Sequence, residues 1–367
     1  MSVVSPPAPT TSRWAGRGRT FRVLDLFAGC GGLTSGFVAS GAFEPVGAVE
    51  LDVDAAATYA VNFGEHVHVG DIAGWTWRGG PPVDVVVGGP PCQGFSGLGR
   101  RDPHDPRNVL WREYVRVLQS VRPAFFVLEN VPLFLRSGQF ALLEDETRPG
   151  GRLEGFRLEA HVLNAADYGV PQSRRRAVVV GRRRELPEIG PPPLAEASPV
   201  DLATALAGVP GRADVAELPL RSRTVNGAPV AGTYAMEELH VTRRVSDVWR
   251  RRYEAVPPGG SRHDLPHELR LPCWRGDFAG AGDVMGRLHW TKPSVTVRTE
   301  FFKPEKGRYL HPEEHRAITH YEAALLQGFP ADFRWCGSKA SIARQIGNAV
   351  PPPLARAIAE HLAARLC

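Results

Sequence analysis

The sequence predicts an α/β fold with a doubly wound, mostly parallel sheet and a smaller inserted domain. Between Phe21 and Gly181, short Val-rich apolar runs alternate with longer amphipathic stretches. Such apolar runs are typical of strands that are buried on both faces. Strands that alternate with helices favour parallel pairing. After Gly181 this alternation stops, and the chain becomes rich in Pro, Gly and Arg, which indicates a second unit.

The predicted strands are the segments FRVLDLF, PVGAVE, HVHVGDI, VDVVVGG, AFFVLEN and RAVVVG. Between them, helices are predicted over 33–40, 54–63 and 109–120.

Regular structure is predicted again towards the C-terminus. The segment SVTVRT (294–299) predicts a strand, and the capping-box pattern at 319–322 predicts a helix that continues to Gln327. A final helix is predicted from Pro352 or Pro353, because proline is tolerated in the first turn of a helix.

Composition limits the class of protein. The 367 residues favour two domains or one large domain with an insertion, and 43% hydrophobic with 23% charged residues excludes wholesale disorder. The 44 Lys and Arg residues exceed the 39 Asp and Glu residues, which leaves a net charge of +5 and favours a polyanionic partner only weakly. No apolar run suits a membrane span or a signal peptide, so we expect a cytoplasmic protein.

The cysteines are scattered along the chain. The five are Cys30, Cys92, Cys273, Cys336 and Cys367, without a C-x-x-C pair, which argues against a zinc site or a disulfide framework. His263, His267 and Cys273 superficially resemble a metal cluster. However, Pro266 interrupts the helical i,i+4 pairing of the two histidines, so we predict no metal.

The first strand leads into DLFAGCGG (25–32), which has the character of a nucleotide-binding turn. Glycines allow a tight turn and bring backbone N–H groups close to a ligand at a helix N-terminus. The second strand ends at Glu50, 19 residues after Gly31, where a carboxylate can accept hydrogen bonds from ribose hydroxyls. The pattern departs from G-x-G-x-x-G, so NAD, S-adenosylmethionine and a purely structural turn all stay open on this motif alone.

Two strand ends place reactive groups at one edge of the predicted sheet. The strand VDVVVGG leads into PPCQGFS (90–96), and AFFVL ends at Glu129. In open α/β folds this edge is the usual ligand-binding edge. A free cysteine is most often a small buried hydrophobe, and Glu129 could simply cap a helix or pair with Arg. The setting nevertheless favours a nucleophile, Cys92, beside a carboxyl group.

The segments DLFAGCGG, GGPPCQGFS, ENV, QSRRR and QIGNAVPP follow the order and approximate spacing of the C5-cytosine DNA methyltransferase family, which the chain resembles over about 21–181 and 287–366. The cysteine block is the most specific of these motifs. The resemblance implies a sequence-specific enzyme that flips a cytosine out of duplex DNA. It also implies that Cys92 adds to carbon 6 of this base and that carbon 5 receives a methyl group from S-adenosylmethionine. The cofactor product would be S-adenosylhomocysteine. The absence of a long extension favours the bacterial restriction-modification type. We expect a nucleoid-associated monomer, and a restriction endonuclease or another defence system would act separately from it.

The resemblance also divides the chain. It implies a catalytic cofactor-binding domain (20–183) and a target-recognition domain (184–286), while the Ser, Thr, Pro and Gly content of 1–19 predicts a disordered tail. The remainder (287–367) would complete the recognition and hinge region and return to the catalytic domain.

Catalytic roles are implied for four residues. Cys92 would be the nucleophile, Glu129 would hold or protonate N3 of the base, and Arg174 and Arg176 would approach the flipped base and its phosphate. The implied cofactor residues are Phe27, Gly29, Gly31, Glu50, Leu51, Asp71, Ile72, Pro90, Asn348, Ala349 and Val350. Of these, Glu50 would bind the ribose and Asp71 the adenine amino group.

Implied DNA contacts include Gln93, Ser96, Arg175 and Thr296, with Arg243, Arg244, Arg250 and Arg251 in the middle segment. Arginines interleaved with Trp249 and Tyr253 suit phosphate and groove contacts, although a helix with exposed arginines would leave the same pattern. The triplet 182–184 is open between phosphate contact and plain surface.

Two other functions are compatible with parts of this pattern. A related branch uses the same motifs as tRNA cytosine methyltransferases, but the substantial middle segment favours DNA. A catalytically silent DNA-binding module is the second alternative, and the intact residues Cys92, Glu129 and Arg176 argue against it.

Overall fold

The computed structural model describes residues 19–91, 110–196, 199–276 and 282–366. Several sequence predictions fall outside these ranges, namely Cys92, Gln93, Ser96, Cys367 and nearly all of the predicted tail.

A seven-stranded sheet forms the centre of the molecule. Its strands are β1 (Phe21–Leu26), β2 (Phe43–Glu50), β3 (Val67–Val69), β4 (Val85–Gly88), β5 (Phe125–Asn130), β6 (Phe156–Asn164) and β7 (Arg175–Arg183). The order across the sheet is β3-β2-β1-β4-β5-β7-β6. Neighbouring strands are parallel except that β7 runs antiparallel to β5 and β6. The predicted mostly parallel sheet is confirmed.

The described α-helices are α1 (Gly32–Ala39), α2 (Val53–Phe63), α3 (Leu110–Val121), α4 (Gly138–Asp145), α5 (Leu202–Ala205), α6 (Asp247–Glu254), α7 (His320–Leu326), α8 (Lys339–Asn348) and α9 (Pro352–Leu366). The predictions of α1, α2, α3 and α9 are confirmed within one or two residues. The capping box of α7 is confirmed as well. The Thr319 hydroxyl accepts a hydrogen bond from the Glu322 amide at 3.1 Å, and the Glu322 carboxylate accepts one from the Thr319 amide at 2.7 Å.

Alternate strand residues pack against two different helical layers. Val85 and Val87 of β4 face α1 and α9, whereas Val86 faces α3. All residues of β4 are buried, which explains why its sequence is a continuous apolar run. The result is a sheet covered on both faces, as predicted for a doubly wound fold.

Several elements were not predicted, α5 and α8 among them. Two of the unpredicted elements, β6 and α4, lie where burial is incomplete. The edge strand β6 carries Arg157, Glu159 and His161 among its apolar residues, because one side of an edge strand meets solvent. The short helix α4 buries only Leu143, so its sequence has no clear apolar stripe.

The predicted strand at 294–299 is wrong. Ser294 makes an isolated bridge with Gln172, but no neighbouring strand continues this pairing. Instead, side chains bind the backbone of Val297: its N–H donates to Gln172 Oε1 at 2.8 Å, and its carbonyl accepts from Arg174 Nη1 at 3.0 Å. The segment alternates like a strand, but the backbone groups of Val297 are hydrogen-bonded by side chains and not by a sheet.

A second, antiparallel sheet packs on α2. Its order is β10-β9-β8, with β8 (Ser222–Val225), β9 (Ala228–Tyr234) and β10 (Trp335–Cys336). Val225, Val230 and Cys336 are buried against Ala57 of α2. The β8–β9 hairpin comes from the predicted recognition segment, yet it contacts a helix of the cofactor-binding domain.

Two side chains of α2 bond this sheet directly. The Thr58 hydroxyl accepts from the Cys336 amide at 2.9 Å and lies 3.2 Å from the Cys336 carbonyl. Asn62 pairs with the backbone of Arg334 through both its oxygen, at 2.9 Å, and its nitrogen, at 2.8 Å. Among the described residues, β10 is an edge strand. The hydrogen bonds from α2 satisfy backbone groups of Arg334 and Cys336 that no second strand pairs with. Within the described ranges, no helix combines the length and apolarity needed to cross a bilayer.

Thr58→Val should lower the free energy of unfolding by about 1–3 kcal/mol, because the buried Cys336 amide loses its hydrogen-bond acceptor while the side-chain volume is kept. Thr147→Val is the matched control, since the Thr147 hydroxyl bonds a carbonyl at an exposed site. Chemical denaturation of both variants measures the difference. Equal midpoints for the two variants would contradict the proposed importance of this contact.

Candidate active site

The loop after β1 has an unusual backbone. Phe27, Gly29 and Gly31 have φ angles of 60°, 57° and 88°. Gly31 caps α1, and a Cβ there would lie 2.4 Å from the Phe63 ring. A positive φ at Phe27 is strained for a bulky residue, and such strain concentrates at functional sites.

Glu50 at the end of β2 is held by backbone donors. Its Oε2 accepts from the Gly29 amide at 2.8 Å, and its Oε1 accepts from the Asp52 amide at 2.7 Å. Burial raises the pKa of Glu50. Each carboxylate oxygen retains a further lone pair, so the group can accept hydrogen bonds from ligand hydroxyls in a fixed orientation.

Asp25 lies on β1, immediately before this loop, and is almost completely buried. Its Oδ2 accepts from the Thr34 hydroxyl at 2.7 Å, whereas its Oδ1 has no partner among the described residues. Burial raises the pKa of Asp25 to about 7. The carboxyl therefore keeps its proton at pH values where an ordinary aspartate is ionised.

One cleft of about 790 Å³ gathers the predicted cofactor residues. It is lined by Phe27, Gly29, Glu50, Leu51, Asp71, Ile72, Pro90, Asn348, Ala349 and Val350. Gly31 lies beside it as the cap of α1. Ile72 is buried, Leu51 is 70% exposed, and Asp71 Oδ1 accepts from the Ala73 amide at 2.9 Å. Strand ends and α8 thus meet around a single space, although the cofactor roles stay predictions.

Glu129 and Arg176 form an ion pair in the wall of the same cleft. Arg176 Nε lies 2.8 Å from Glu129 Oε1, and only 15% and 11% of the two side chains is exposed. A Cβ at Gly89 would lie 3.2 Å from Glu129 Oε2. Pro91, the residue before Cys92, lines the cleft too. The sequence allows either a purely structural pairing of Glu129 with an arginine or a catalytic role for this residue. Both interpretations involve the same two residues, Glu129 and Arg176.

Asn130 positions the chain that leads to the cysteine. Its Nδ2 donates to the Pro90 carbonyl at 3.1 Å, and its Oδ1 accepts from the Val131 amide at 2.8 Å. The sequence signal for this role is the polar pair that closes the otherwise apolar strand β5.

Arg174 is buried to 2% exposure and bonds two distant backbone carbonyls. Nη1 donates to Val297 at 3.0 Å, Nη2 donates to Gly347 at 2.9 Å, and burial lowers the pKa of Arg174 well below its usual range. Its Nε has no partner among the described residues, and the side chain lines the cleft. A contact with the flipped base stays a prediction, but a structural role is evident.

Two buried glutamines extend this arrangement, and neither was among the predicted site residues. Gln172 Nε2 donates to the Gln327 side chain at 2.8 Å and to the Leu326 carbonyl at 3.1 Å. Gln327 in turn donates to the Ile346 carbonyl. We call Gln172, Arg174 and Gln327 the buried polar network. Gln172 and Arg174 belong to the motif QSRRR, whereas the sequence signal for Gln327 is a single amide at the end of an apolar helix, in LLQGFP.

The predicted DNA contacts have different surroundings. Arg244, Arg250 and Arg251 are exposed, as is Arg175 on β7. Arg243 pairs with Glu305 at 2.8 Å, and the Thr296 hydroxyl donates to the Ser173 carbonyl at 2.9 Å.

The triplet 182–184 bonds protein groups: Arg182 pairs with Glu159 at 2.5 Å, Arg183 donates to the Pro123 carbonyl, and Arg184 donates to the Thr147 carbonyl. In the described parts of the chain, no cluster of three His, Cys, Asp or Glu side chains is placed to hold a metal ion.

Residues 21–364 match the sequence model of the C-5 cytosine-specific DNA methylase family. The chain belongs to this family. It is 36% identical to the type II methyltransferase M1.HphI of Haemophilus parahaemolyticus, covering 92% of this chain and 85% of the relative. It is 32% identical to the type II methyltransferase M.DdeI of Desulfomicrobium norvegicum, covering 93% and 88%.

Solved structures show the same fold. A prophage-encoded candidate DNA modification methyltransferase of E. coli matches with a TM-score of 0.71 and 27% identity, over 95% of this chain and 99% of that one. The methyltransferase EhMeth of Entamoeba histolytica matches with a TM-score of 0.62 and 16% identity, over 95% and 100%, and shows the fold alone. The predicted fold and the enzyme class, DNA (cytosine-5) methyltransferase, are confirmed, and neither alternative function is favoured.

Asp25→Asn should change the pH dependence of stability. Folded Asp25 holds its proton up to about pH 7, whereas an unfolded aspartate releases it near pH 4, so the free energy of unfolding falls as pH rises between these values. The amide cannot ionise, so the variant should lose this decline and gain stability relative to the parent at pH 8. Denaturant midpoints at pH 5 and pH 8 measure it, with exposed Asp332→Asn as the control. Parallel profiles for parent and Asp25→Asn would contradict the assignment.

Proposed function

We propose that this enzyme recognises a specific sequence in duplex DNA, flips out a cytosine and methylates its carbon 5 with Cys92 as the nucleophile. One observation supports this most strongly. The Glu129–Arg176 pair, the Glu50 carboxylate and Pro91, which precedes Cys92, line a single cleft. A base-binding carboxyl and a nucleotide-binding carboxylate thus face one space.

The cleft fits S-adenosylmethionine. Its volume of about 790 Å³ lies within the range of small-molecule sites. Glu50 is oriented by two backbone amides for a ribose, and Gly29 has open space where a side chain would otherwise stand. Asp71, Ile72 and Asn348 line the same cleft. When bound, the cofactor supplies an electrophilic methyl group on a sulfonium sulfur.

Cys92 solves the main chemical problem. Carbon 5 of cytosine is too weak a nucleophile for direct methylation, but a thiolate that forms a bond to carbon 6 breaks the aromaticity and makes carbon 5 enamine-like. Carbon 5 would then form a bond to the methyl group as the bond between that methyl and the sulfonium sulfur breaks, which leaves S-adenosylhomocysteine. A proton leaves carbon 5, the double bond between carbons 5 and 6 reforms, and the Cys92 thiolate is expelled.

Glu129 would balance the charge that develops during this attack. A proton or hydrogen bond from Glu129 to N3 neutralises the negative charge that the thiolate brings onto the ring. Arg176 holds Oε1 at 2.8 Å and thereby fixes the carboxyl, while Oε2 lies beside Gly89, where no side chain blocks the approach of a base.

The DNA must be distorted for this chemistry, since the target atom lies inside the duplex. Arg175 and Thr296, together with Gln93 and Ser96, would contact the backbone phosphates and hold the opened duplex. The relatives are type II methyltransferases, so we infer that a restriction endonuclease or another defence system acts separately from this enzyme. We infer that the protein acts as a monomer in the cytoplasm, on nucleoid DNA.

Cys92→Ser should abolish transfer of radiolabelled methyl groups to duplex DNA, because serine is not ionised near neutral pH, while S-adenosylhomocysteine affinity should persist. The parent should also form a covalent adduct with 5-fluorocytosine duplexes, since fluorine cannot leave as a proton. Cys273→Ser, at an exposed site, is the control. Full activity of Cys92→Ser, or no adduct on an otherwise active sequence, would overturn the mechanism.

Glu50→Gln should weaken S-adenosylhomocysteine binding by roughly 10- to 100-fold, because charged hydrogen bonds to the ribose contribute about 1.5–3 kcal/mol. Calorimetry on the DNA-free enzyme measures this directly. Glu65→Gln serves as the control, since the Glu65 side chain is 77% exposed on another surface. An unchanged dissociation constant for Glu50→Gln would place the ribose elsewhere.

A further inference from the structure

The predicted cofactor residues leave one end of S-adenosylmethionine without a cationic partner. At its amino-acid end this cofactor carries an α-carboxylate and an α-ammonium group. The charged members of the predicted set are Glu50 and Asp71, both carboxylates, and the set contains no lysine or arginine. A bound carboxylate needs hydrogen-bond donors, and charged donors form the strongest of these bonds. A cation of the cleft that lies outside the predicted set would therefore complete the site.

Three of the described residues that line the cleft are cationic, namely Arg174, Arg176 and Arg344. Arg174 is buried on two backbone carbonyls, and Arg176 is paired with Glu129. Arg344 has a looser contact: its Nη2 lies 3.4 Å from Asp52 Oδ2, and 52% and 43% of the two side chains is exposed. An ion pair that is so exposed contributes little to stability. Arg344 is thus the cation that can change partners at the lowest cost.

The Asp52–Arg344 pair lies next to the predicted ribose site. Both residues line the cleft, and the Asp52 amide is one of the two donors that hold Glu50, at 2.7 Å. Arg344 stands on α8 one turn before Asn348, and residues four positions apart share one face of a helix. The pair therefore connects the carboxyl end of β2 to the face of α8 that borders the cleft.

Strand order places the amino-acid end of the cofactor on the same side. Adenine and the amino-acid end leave the ribose at different carbons, on opposite sides of the ring. Asp71, predicted for the adenine, follows β3, whereas β1 lies on the other side of β2. The loop after β1 contacts α8, since Cys30 Sγ lies 3.8 Å from the Gln345 carbonyl oxygen. An adenine near β3 would thus direct the amino-acid end towards the β1 loop and α8.

The two side chains also match the amino-acid end in charge. The guanidinium of Arg344 presents a planar set of N–H donors, which suits a carboxylate, and Asp52 Oδ2 suits an ammonium group. Asp52 is fixed as the N-cap of α2, because its Oδ1 accepts from the Asp54 and Ala55 amides at 3.0 and 3.1 Å. Within the described residues, Arg344 has no hydrogen-bond partner besides Asp52. The arginine can therefore turn to a ligand while the aspartate stays in place.

We propose that the Asp52–Arg344 pair opens to receive the amino-acid end of the cofactor, with Arg344 on the α-carboxylate and Asp52 on the α-ammonium group. This inference rests on the proposed use of S-adenosylmethionine. One exposed ion pair is replaced by two charged contacts to the ligand. Because adenine and the amino-acid end are then both held, the sulfur between them is fixed, which orients the methyl group for transfer.

Arg344→Ala tests the carboxylate contact on the DNA-free enzyme. Calorimetry should show S-adenosylhomocysteine binding weakened roughly 10- to 100-fold, because a charged hydrogen bond is lost. An analogue that lacks only the α-carboxylate should bind the variant no more weakly than it binds the parent. Arg356→Ala is the matched control, since Arg356 pairs with Glu360 on α9 at similar exposure and does not line the cleft. Arg344→Lys should recover part of the lost affinity, because the positive charge returns.

Asp52→Asn tests the ammonium contact, and asparagine preserves the cap of α2. This variant should bind the decarboxylated analogue about tenfold more weakly, because the analogue keeps its ammonium group. Neither Arg344→Ala nor Asp52→Asn should weaken binding of 5′-methylthioadenosine, which lacks both charged groups. Denaturation midpoints close to that of the parent show that the variants are folded.

A crystal structure of the parent with S-adenosylhomocysteine makes the test independent of substitutions. The Arg344 guanidinium should lie within hydrogen-bond distance of the α-carboxylate. A complex in which Arg344 stays on Asp52, or an Arg344→Ala variant with unchanged S-adenosylhomocysteine affinity, would overturn the inference while cofactor binding persists. A parent enzyme that does not bind S-adenosylhomocysteine would instead overturn the proposed use of the cofactor, and the inference with it.

Discussion

The buried polar network of Gln172, Arg174 and Gln327 is the constraint on which the site depends. It joins four stretches of chain that are far apart in sequence, 172–174, 297, 326–327 and 346–347. Its amide and guanidinium groups bond the backbone at Val297, Leu326, Ile346 and Gly347. Each of these groups would cost about 1–3 kcal/mol if it were buried without a partner, so the network can exist only when all four stretches are in place. Gly347 and Arg174 both line the cleft, and Arg174 is two residues from Arg176. The network therefore fixes the position of α8 relative to β7 on the wall of the cleft, and with it the predicted cofactor residues relative to the predicted base-binding residues.

Two carboxylates on this frame are oriented by different means. Glu50 is held by backbone amides, which carry no full charge and leave its second lone pairs available to hydroxyl groups. Glu129 is held by Arg176, whose positive charge lies 2.8 Å from one oxygen and leaves the other oxygen beside Gly89. The first arrangement suits the hydroxyl groups of a neutral sugar, and the second leaves one carboxylate oxygen open to a hydrogen bond with a base. The same residue type thus serves two different tasks because its donors differ.

The sequence predicts an element well where all of its residues are buried. It gives no indication of contacts between residues that are far apart along the chain. The strand β4 was predictable because both of its faces are covered, whereas β6 was missed because one side of it meets solvent. Segment 294–299 has the alternation of a strand, but Gln172 and Arg174 occupy its backbone groups. The contact between Gln172 and Gln327 joins residues 155 positions apart, and no local pattern encodes it. The candidate site residues were predicted from motifs whose order resembles that of a known family. Only the folded structure shows that most of these residues line a single cleft.

Arginine has three separate roles in this protein, and its surroundings decide between them. Because a guanidinium does not lose its proton in proteins, a buried arginine must be matched by acceptors. Arg174 and Arg287 are matched by backbone carbonyls, so they act as fixed connections between segments. Arg176, Arg212 and Arg221 are matched by carboxylates, so their charges are locally cancelled. The exposed Arg244, Arg250 and Arg251 have neither kind of partner among the residues that the structure describes, so their charges are the ones available to phosphates. A net charge of +5 therefore says little about DNA binding, since the relevant quantity is how many cations lack an internal acceptor.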